Sequence, residues 1–512
     1  MNTSPKTISI IGAGISGLSA GCYLQMNGFK TCIYEKHDLP GGLCTSWEKG
    51  GYTFDGSVQW ILGTGPGSSF YKMWTEILDM QNITFVNHEY RILLEVNENE
   101  NVDGNKNFIF YNNLNKLEQY LLHLAPEDDK IIRQFIKEVR SLQKYDLPPV
   151  HKDNGFWKNL INSFSMIRYL PLGIKFIKLK NETNKTFAKK FNNPFLREVF
   201  DQLFDQFEVN LLVLMVPMAA YDQKSAGYPL GGSLHFAKIL EKKYLELGGE
   251  IFYKTPVLKI NTKQNIGESI TVRNNKVIHQ DYIISAADWK MTISDLLSNK
   301  FDLLNQKRLI SQQMFIPYYS SLQCSFGVAL DLKDYPHFSR FPLETELCSP
   351  DGMQYKRFEI HVYNYDPTLT PAGKSCVIVN FYTQYADYWI ELRKNQRQEY
   401  RNIKKEWIEK VIDIIDLKIP TFRSNLEAWD LSTPATYLRY TNNWKGSTQG
   451  WLPNANILKP TPVKLKIPGL KNVFVASHWN QPGGGLPIAI SKGREVTQLI
   501  CKLEKKKFIT KT

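Results

Sequence analysis

The sequence predicts an α/β fold in which two domains are interleaved along the chain. Three observations support this prediction. A glycine-rich turn lies between an apolar strand and a helical stretch near residue 12, a second strand follows closely, and further strand and helix signals of the same kind recur in the middle and at the end of the 512-residue chain. Since one sheet has to be assembled from three separated parts, the segments between them are expected to form a second domain.

The glycine turn is the segment 12–17 (Gly-Ala-Gly-Ile-Ser-Gly), which directly follows the apolar run 8–11. In a strand–turn–helix unit this spacing is typical of a dinucleotide-binding site. Gly12 permits the turn, Gly14 lets the phosphates approach the backbone, and Gly17 lets the helix pack closely on the strand. The alternative, a helix-start turn that binds nothing, requires the flanking elements to be coincidental.

The flanking elements complete a βαβ unit. The helix is expected to end near Asn27-Gly28, and a second strand, 30–34, leads to Glu35, where a carboxylate would contact a ribose hydroxyl. A second glycine pair, Gly41-Gly42, follows, and its backbone can cover the same phosphates. Dehydrogenases that bind only NAD do not usually need this additional loop.

With these residues the sequence resembles the flavoproteins in which a glycine pair follows the acidic residue. Segment 51–57 (Gly-Tyr-Thr-Phe-Asp-Gly-Ser) and segment 472–487, which ends in Gln-Pro-Gly-Gly-Gly-Leu-Pro, narrow the resemblance to the FAD-dependent phytoene desaturase, carotenoid isomerase and retinol saturase family. Segments 228–233 and 433–451 are similar to that family as well. The resemblance implies a Rossmann-type FAD-binding domain interleaved with an α+β substrate domain.

The order of these motifs predicts the domain ranges. Residues 1–95, 225–300 and 435–505 are expected to form the FAD-binding domain, and residues 96–224 and 301–434 the substrate domain. Predicted strands near 251–253, 281–288 and 472–476 belong to the first domain. In the family, the residue at Val257 contacts the adenine edge through its backbone.

The C-terminal motif is expected to lie against the flavin. A helix predicted over 488–502 would direct its N-terminal N–H groups toward the flavin pyrimidine. His478 lies near the expected ring and is a weak candidate for a catalytic residue, because a histidine at such a position is more often a packing residue. The chain departs from the family pattern at Leu43, where relatives often carry Arg or Lys, and at Ala476-Ser477, where many flavoproteins have Gly-Asp.

The resemblance and the spacing together predict a set of cofactor-binding residues: Gly12, Gly14, Ser16, Gly17, Glu35, Gly41, Gly42, Val257, Gly484, Gly485 and Leu486. The seven cysteines are scattered without close pairs, which argues against a zinc site, an iron–sulfur cluster or a redox dithiol. No cysteine lies between Cys376 and Cys501, so the FAD is expected to be non-covalent. No metal is predicted.

The start of the first strand, the cysteine usage and the hydropathy indicate where in the cell the protein is located. The predicted first strand starts near Thr7, which leaves no room for a signal peptide, and the cysteine usage favours a reducing compartment, so a cytoplasmic protein is expected. The longest apolar stretch, 211–220, is too short to span a membrane, and Pro217 is expected to interrupt any continuous helix there. We interpret this stretch as a buried wall of the substrate domain.

The net charge is +13, with a cationic excess in segment 156–191. Two interpretations are open. The segment is either a basic amphipathic hairpin that lies on an anionic membrane surface, or an ordinary helix pair with a solvated basic side. No nucleic-acid-binding motif accompanies the charge.

Three functions remain open at this stage. The resemblance favours an FAD-dependent oxidoreductase that desaturates, saturates or isomerises a polyene or isoprenoid lipid. The alternatives are an amine-oxidase-type flavoenzyme and a non-catalytic lipid chaperone resembling the GDP-dissociation inhibitors. The sequence leaves the substrate, the reaction direction and the electron acceptor or donor undetermined, and it contains no second nicotinamide-binding module.

Overall fold

The centre of the molecule is a five-stranded parallel sheet assembled from distant parts of the chain. The computed structural model describes residues 4–144, 170–179, 181–204, 208–301, 316–452, 463–481 and 483–510. In spatial order, the strands are Glu250–Phe252, Lys30–Tyr34, Thr7–Ile11, Tyr282–Ser285 and Val473–Val475. All four neighbouring pairs are parallel. This sheet is the Rossmann-type α/β core that the sequence predicts.

Both faces of this sheet are covered, as a parallel sheet requires. Ile8, Ile10 and Ile33 on one face pack with the helices Ile15–Met26, Gly232–Glu246 and Gly485–Leu503. Ile11 and Val475 on the other face pack against a three-stranded antiparallel sheet, formed by Val257–Lys263, Ile266–Val272 and Val277–His279. The result is a three-layer arrangement.

A seven-stranded, mostly antiparallel sheet forms the second half of the molecule. Its strands, in spatial order, are Leu426–Ser432, Ser320–Val328, Ser375–Thr383, Gln354–Val362, Phe338–Cys348, Tyr90–Glu95 and Asn107–Tyr111. One face packs with the helices Ala386–Asn395 and Arg397–Lys418 around Trp389 and Trp407. The other face is turned toward a large cavity.

The remaining elements connect and flank the two sheets. Short strands cover Ser46–Lys49, Tyr52–Asp55, Ile61–Leu62, Phe85–Val86 and Ala226–Pro229. Further α-helices cover Ser69–Ile77, Leu114–Leu124, Asp129–Leu142, Leu170–Leu179, Asn184–Ala188, Pro194–Gln202, Leu211–Asp222, Trp289–Met291 and Pro434–Thr441. In the described part of the chain, no helix is both long enough and apolar enough to cross a bilayer.

The first βαβ unit confirms its sequence prediction closely. The helix starts at Ile15 and is capped by Asn27, and Gly28 follows with a φ of +73°. The last helix starts three residues before the predicted Ile488, because Gly485 adopts the turn that opens it.

One local prediction is wrong: Pro217 does not interrupt the apolar stretch. The helix Leu211–Asp222 runs through Pro217 without a break. A proline in a helix interior removes one N–H to C=O hydrogen bond and strains the preceding turn. Here Leu214, Met215 and Met218 are buried, and tertiary packing of this kind outweighs local propensity. The prediction of a buried wall is confirmed.

The predicted domain boundaries remain a prediction. The strand Tyr90–Glu95 ends where the first predicted FAD-domain range ends, and it pairs with Asn107–Tyr111 and Phe338–Cys348 of the seven-stranded sheet.

Of the basic segment 156–191, residues 156–169 and Lys180 lie outside the described residues.

Candidate functional site

A cavity of about 1250 Å³ lies between the two sheets. Its wall includes the glycine turns of the parallel sheet at one end and the seven-stranded sheet at the other. All the predicted cofactor-binding residues except Gly17 line it. Cavities that hold one drug-sized ligand are roughly 300–1,000 Å³. The present cavity therefore has room for a cofactor together with a second molecule.

The glycine turn at the end of the first strand has the conformation that the motif requires. Gly12 has a φ of +100°, and its N–H donates to the carbonyl of Tyr34 at 2.9 Å. A Cβ atom on Gly17 would lie 2.0 Å from the carbonyl oxygen of Gly12, so helix and strand touch there. A Cβ on Gly14 would meet only the carbonyl of Gly41, at 3.9 Å. Gly17 is thus required by packing, whereas Gly14 faces the cavity.

Glu35 is buried just after the second strand, and its carboxylate stabilises the glycine turn by hydrogen bonds. Its two carboxylate oxygens accept the N–H of Ala13 at 2.7 Å and the N–H of His37 at 2.8 Å. Val257, the first residue of its strand, is also buried and lines the same end of the cavity. The carboxylate can therefore accept a further hydrogen bond from a ribose hydroxyl beside the glycine turn.

The second glycine pair lies against the first. The N–H of Gly41 donates to the carbonyl of Ala13 at 2.8 Å, and both Gly41 and Gly42 have positive φ angles, +101° and +64°. A Cβ on Gly41 would lie 2.1 Å from the carbonyl of Cys44. Leu43 also lines the cavity, so no side-chain cation comes from this position. Backbone N–H groups are left to bind an anion here.

Asp55 gives segment 51–57 a structural role. Its Oδ1 accepts the N–H of Ser57 at 3.0 Å and the hydroxyl of Ser233 at 2.6 Å, and its Oδ2 accepts the N–H of Ser233 at 2.6 Å. Burial raises the pKa of this carboxyl despite these hydrogen bonds. Asp55 thus joins the segment to the start of the helix Gly232–Glu246, a role that the motif alone did not reveal.

The C-terminal motif brings a helix N-terminus to the cavity. Gly484 caps the helix with a φ of +48°, and a Cβ there would lie 1.7 Å from the carbonyl of Gln449. Gly485 and Leu486 follow at the cavity wall. Ser16 donates to the carbonyl of Ala476 at 2.5 Å, which joins the first and last motifs. Pro482 lies outside the described residues.

His478 lines the cavity just before this helix. Its Nε2 is buried without a hydrogen-bond partner in the described structure, and burial lowers the pKa of the ring to about 4. The ring is therefore neutral at pH 7. One of its nitrogens is available to donate to, or accept from, a bound molecule.

The far end of the cavity was not found by sequence reasoning. On the seven-stranded sheet, alternate residues point into the cavity, and many are polar or aromatic: Arg91, Gln323, Phe338, Arg340, Arg357, Glu359, His361, Asn380 and Tyr382. Period-two alternation was the only sequence signal that could have found them. Val213, Val216 and Pro217 of the helix Leu211–Asp222 add an apolar wall.

Glu359 is the anionic centre of this polar sheet face. Its carboxylate accepts a hydrogen bond from Arg340 at 2.6 Å, and the Nε2 of His361 lies 3.7 Å from its other oxygen. Burial alone would raise the pKa of this carboxyl, but Arg340 and His361 outweigh burial and lower the pKa to about 2. Glu359 is therefore ionised and paired.

The residues present fit a dinucleotide with a redox-active ring. Two glycine loops without side chains form a cradle with Glu35 beside it, and a helix N-terminus and His478 line the cavity further along. The cavity continues into a chamber lined by the apolar helix Leu211–Asp222 and by polar and aromatic side chains of the seven-stranded sheet. All seven cysteines are free thiols.

Comparisons with known proteins agree with this geometry. Residues 10–77 match the NAD(P)-binding Rossmann-like domain family. A phytoene desaturase from Phycomyces blakesleeanus is 23% identical over 97% of this chain and 85% of its own length. A chloroplastic prolycopene isomerase from Daucus carota is 25% identical over 87% of this chain and 71% of its own.

Solved structures share the fold. An oxidoreductase from Methanosarcina mazei superposes with a TM-score of 0.58 at 15% identity, covering 96% of this chain and 100% of its own. A putrescine oxidase variant also has a TM-score of 0.58, at 12% identity, covering 98% and 99%. At these identities the likeness concerns the fold alone.

Proposed function

Because the chain belongs to the phytoene desaturase and carotenoid isomerase family of oxidoreductases, we propose that it binds FAD and desaturates, saturates or isomerises a polyene or isoprenoid lipid. The observation that carries the proposal is the continuous cavity that joins the two glycine loops to a chamber with an apolar helix on one side and aromatic and polar side chains on the other.

Each part of the cradle has a proposed role. The N–H groups of Gly14 and Gly42 bind the pyrophosphate, with Gly41 holding the second loop against the first, Glu35 binds the ribose, and Val257 meets the adenine edge. The helix that starts at Gly485 directs its positive end at the ring. When bound, FAD supplies the hydride chemistry. The apolar helix Leu211–Asp222 keeps water away from the reacting carbons.

The FAD is proposed to be non-covalent. Cys44 is the cysteine on the cavity wall, and burial raises the pKa of its thiol well above the usual value. A thiol of this kind is a poor nucleophile toward the cofactor, because the thiolate is the reactive form.

His478 remains the candidate catalytic residue. Because its ring is neutral at pH 7, we propose that it exchanges a hydrogen bond with the bound ring rather than supplying a positive charge. Its unpartnered Nε2 supports this role.

We propose that the basic segment 156–191 contacts a membrane surface, from which a water-insoluble substrate would enter. In its described part, Ile174 and Ile177 are 48% and 62% exposed on the helix Leu170–Leu179, next to the exposed Lys178, whereas Lys175 is paired with Glu138. Exposed apolar side chains beside lysines are typical of interfacial helices. Phe156, Trp157, Phe164 and Ile167 of the same segment lie outside the described residues.

The relatives named as phytoene desaturase and prolycopene isomerase direct the choice of substrate class. The proposal is tested by mixing the purified protein with polyenes in the absence of oxygen and following the flavin absorbance, with small amines as the competing class. A protein without flavin would instead favour the lipid-chaperone alternative.

A further inference from the structure

The polar face of the seven-stranded sheet is unexpected for a cavity that receives only a hydrocarbon. Three arginines, Arg91, Arg340 and Arg357, reach the cavity wall together with Glu359 and His361. Burying charged groups against a purely apolar molecule is unfavourable, because nothing replaces the hydrogen bonds of water. The substrate is therefore expected to carry polar atoms at one end.

Two of the three arginines already have partners within the protein. Arg340 forms a hydrogen-bonded ion pair with Glu359 at 2.6 Å. Arg357 donates to the side chains of Asn97 at 2.8 Å and Gln202 at 2.5 Å. These two guanidinium groups are held in place by the fold.

Arg91 differs from both. Its side chain lines the cavity, and among the described residues its guanidinium forms neither a hydrogen bond nor an ion pair, with Nη1 buried behind the wall. Its aromatic neighbour Tyr221 lies 5.8 Å from the guanidinium carbon, and Trp60 packs on Tyr221 at 5.6 Å between ring centroids. An unpaired guanidinium on a cavity wall, held beside aromatic rings, is a site for an anion.

We propose that Arg91 binds a carboxylate at one end of the substrate, so that the substrate is an unsaturated lipid acid rather than a pure hydrocarbon. This inference rests on the proposed function. One guanidinium with a free donor matches a single negative charge and a planar, two-oxygen group. Arg340 adds no net charge for such a group, because Glu359 already neutralises it.

The test uses all-trans-retinoic acid and its methyl ester, which have the same polyene and differ only in the charge at one end. Binding is measured by quenching of tryptophan fluorescence, which does not depend on turnover. We expect the acid to bind about tenfold more tightly than the ester or better, and Arg91→Gln to remove this difference while leaving ester binding unchanged. Arg91→Lys keeps the positive charge but loses the two parallel N–H donors of the guanidinium, so it should retain part of the preference for the acid over the ester. Arg401→Gln, at an exposed site on the helix Arg397–Lys418, is the matched control and should change nothing.

Three results would overturn the inference. If acid and ester bind equally to the wild type, or if Arg91→Gln weakens both alike, Arg91 recognises no carboxylate, while the proposed polyene chemistry stands. If neither ligand quenches the fluorescence, the inference fails, and the flavin response to carotenoid precursors and carotenes then decides the polyene class separately. Flavin content, measured separately by absorbance, reports on the cofactor assignment regardless of the ligand result.

Discussion

Two glycines of the first turn, Gly14 and Gly17, are under different constraints although they are only three residues apart. Gly17 has no space for a Cβ, since that atom would lie 2.0 Å from a carbonyl oxygen, whereas Gly14 has ordinary backbone angles (φ −67°, ψ 170°) and an open side. Folding therefore requires a glycine at position 17 but not at position 14. The absence of a side chain at position 14 is best explained by a bound phosphate.

This difference yields a prediction. Gly14→Val should fold and lose its flavin, because its methyl groups would occupy the phosphate position, whereas Gly17→Val should fail to fold. The measurements are visible flavin absorbance per mole of protein and near-UV circular dichroism. A folded Gly14→Val variant that keeps stoichiometric FAD would contradict the assignment of this turn.

Three largely buried histidines predict a loss of stability in acid. Burial lowers the pKa of His88 to about 4, of His337 to about 3 and of His478 to about 4. In the unfolded chain each has a pKa of about 6.5. Below pH 6.5 the unfolded chain binds protons on these rings and the folded protein does not. The free energy of unfolding is therefore highest above pH 6.5 and decreases as the pH falls toward 4, by up to about 1.4 kcal/mol per pH unit for each ring.

The variant His337→Phe tests this prediction. The rings of His88 and His337 stack at 4.0 Å, and phenylalanine keeps a ring at that position without the titrating nitrogens. Denaturant unfolding between pH 7 and pH 4.5 should show a shallower loss of stability than in the wild type. His279→Phe, at an exposed site, is the control and should keep the wild-type slope. An unchanged slope in His337→Phe would show that protonation of this ring does not cause the loss.

At the scale of elements, local signals predicted the parallel-sheet motifs well. The strand at 8–11, the helix end at Asn27-Gly28 and the strand at 30–34 are encoded by adjacent residues, so their positions were found to within a residue or so. The helix through Pro217 was missed, because packing of Leu214 and Met218 against distant residues decides its conformation. Sequence-local reasoning has no access to such contacts.

The helix Leu170–Leu179 carries a prediction about membrane contact. Ile174→Ser together with Ile177→Ser should weaken binding to anionic liposomes, above all the part of the binding that survives high salt, because salt screens the lysines but not apolar insertion. Leu417→Ser is the control, since Leu417 is 84% exposed on a different helix. Flotation of liposomes with bound protein gives the measurement. If both variants lose the same amount of liposome binding, or if neither loses any, this helix does not contact the membrane.

At the scale of the whole molecule, the cavity exists because two sheets from interleaved parts of the chain face one another. The glycine end of the site was predictable, since its residues are contiguous motifs. The far end was not: Arg91 and Arg340 reach the same wall only because the strand Tyr90–Glu95 pairs in parallel with Phe338–Cys348, although nearly half of the chain separates the two strands. Pairing over such separations leaves no local mark in a single sequence.

The central claim is that this cavity holds FAD next to a polyene. The most direct measurement is anaerobic mixing of the purified protein with acyclic carotenoid precursors, carotenes and retinoids, while the flavin and polyene absorbance bands are recorded together. We expect a polyene to bleach the oxidised flavin, or the reduced enzyme to bleach a polyene, or a polyene to change its isomer without net electron transfer. A flavin that none of these polyenes affects but that small amines reduce would contradict the account.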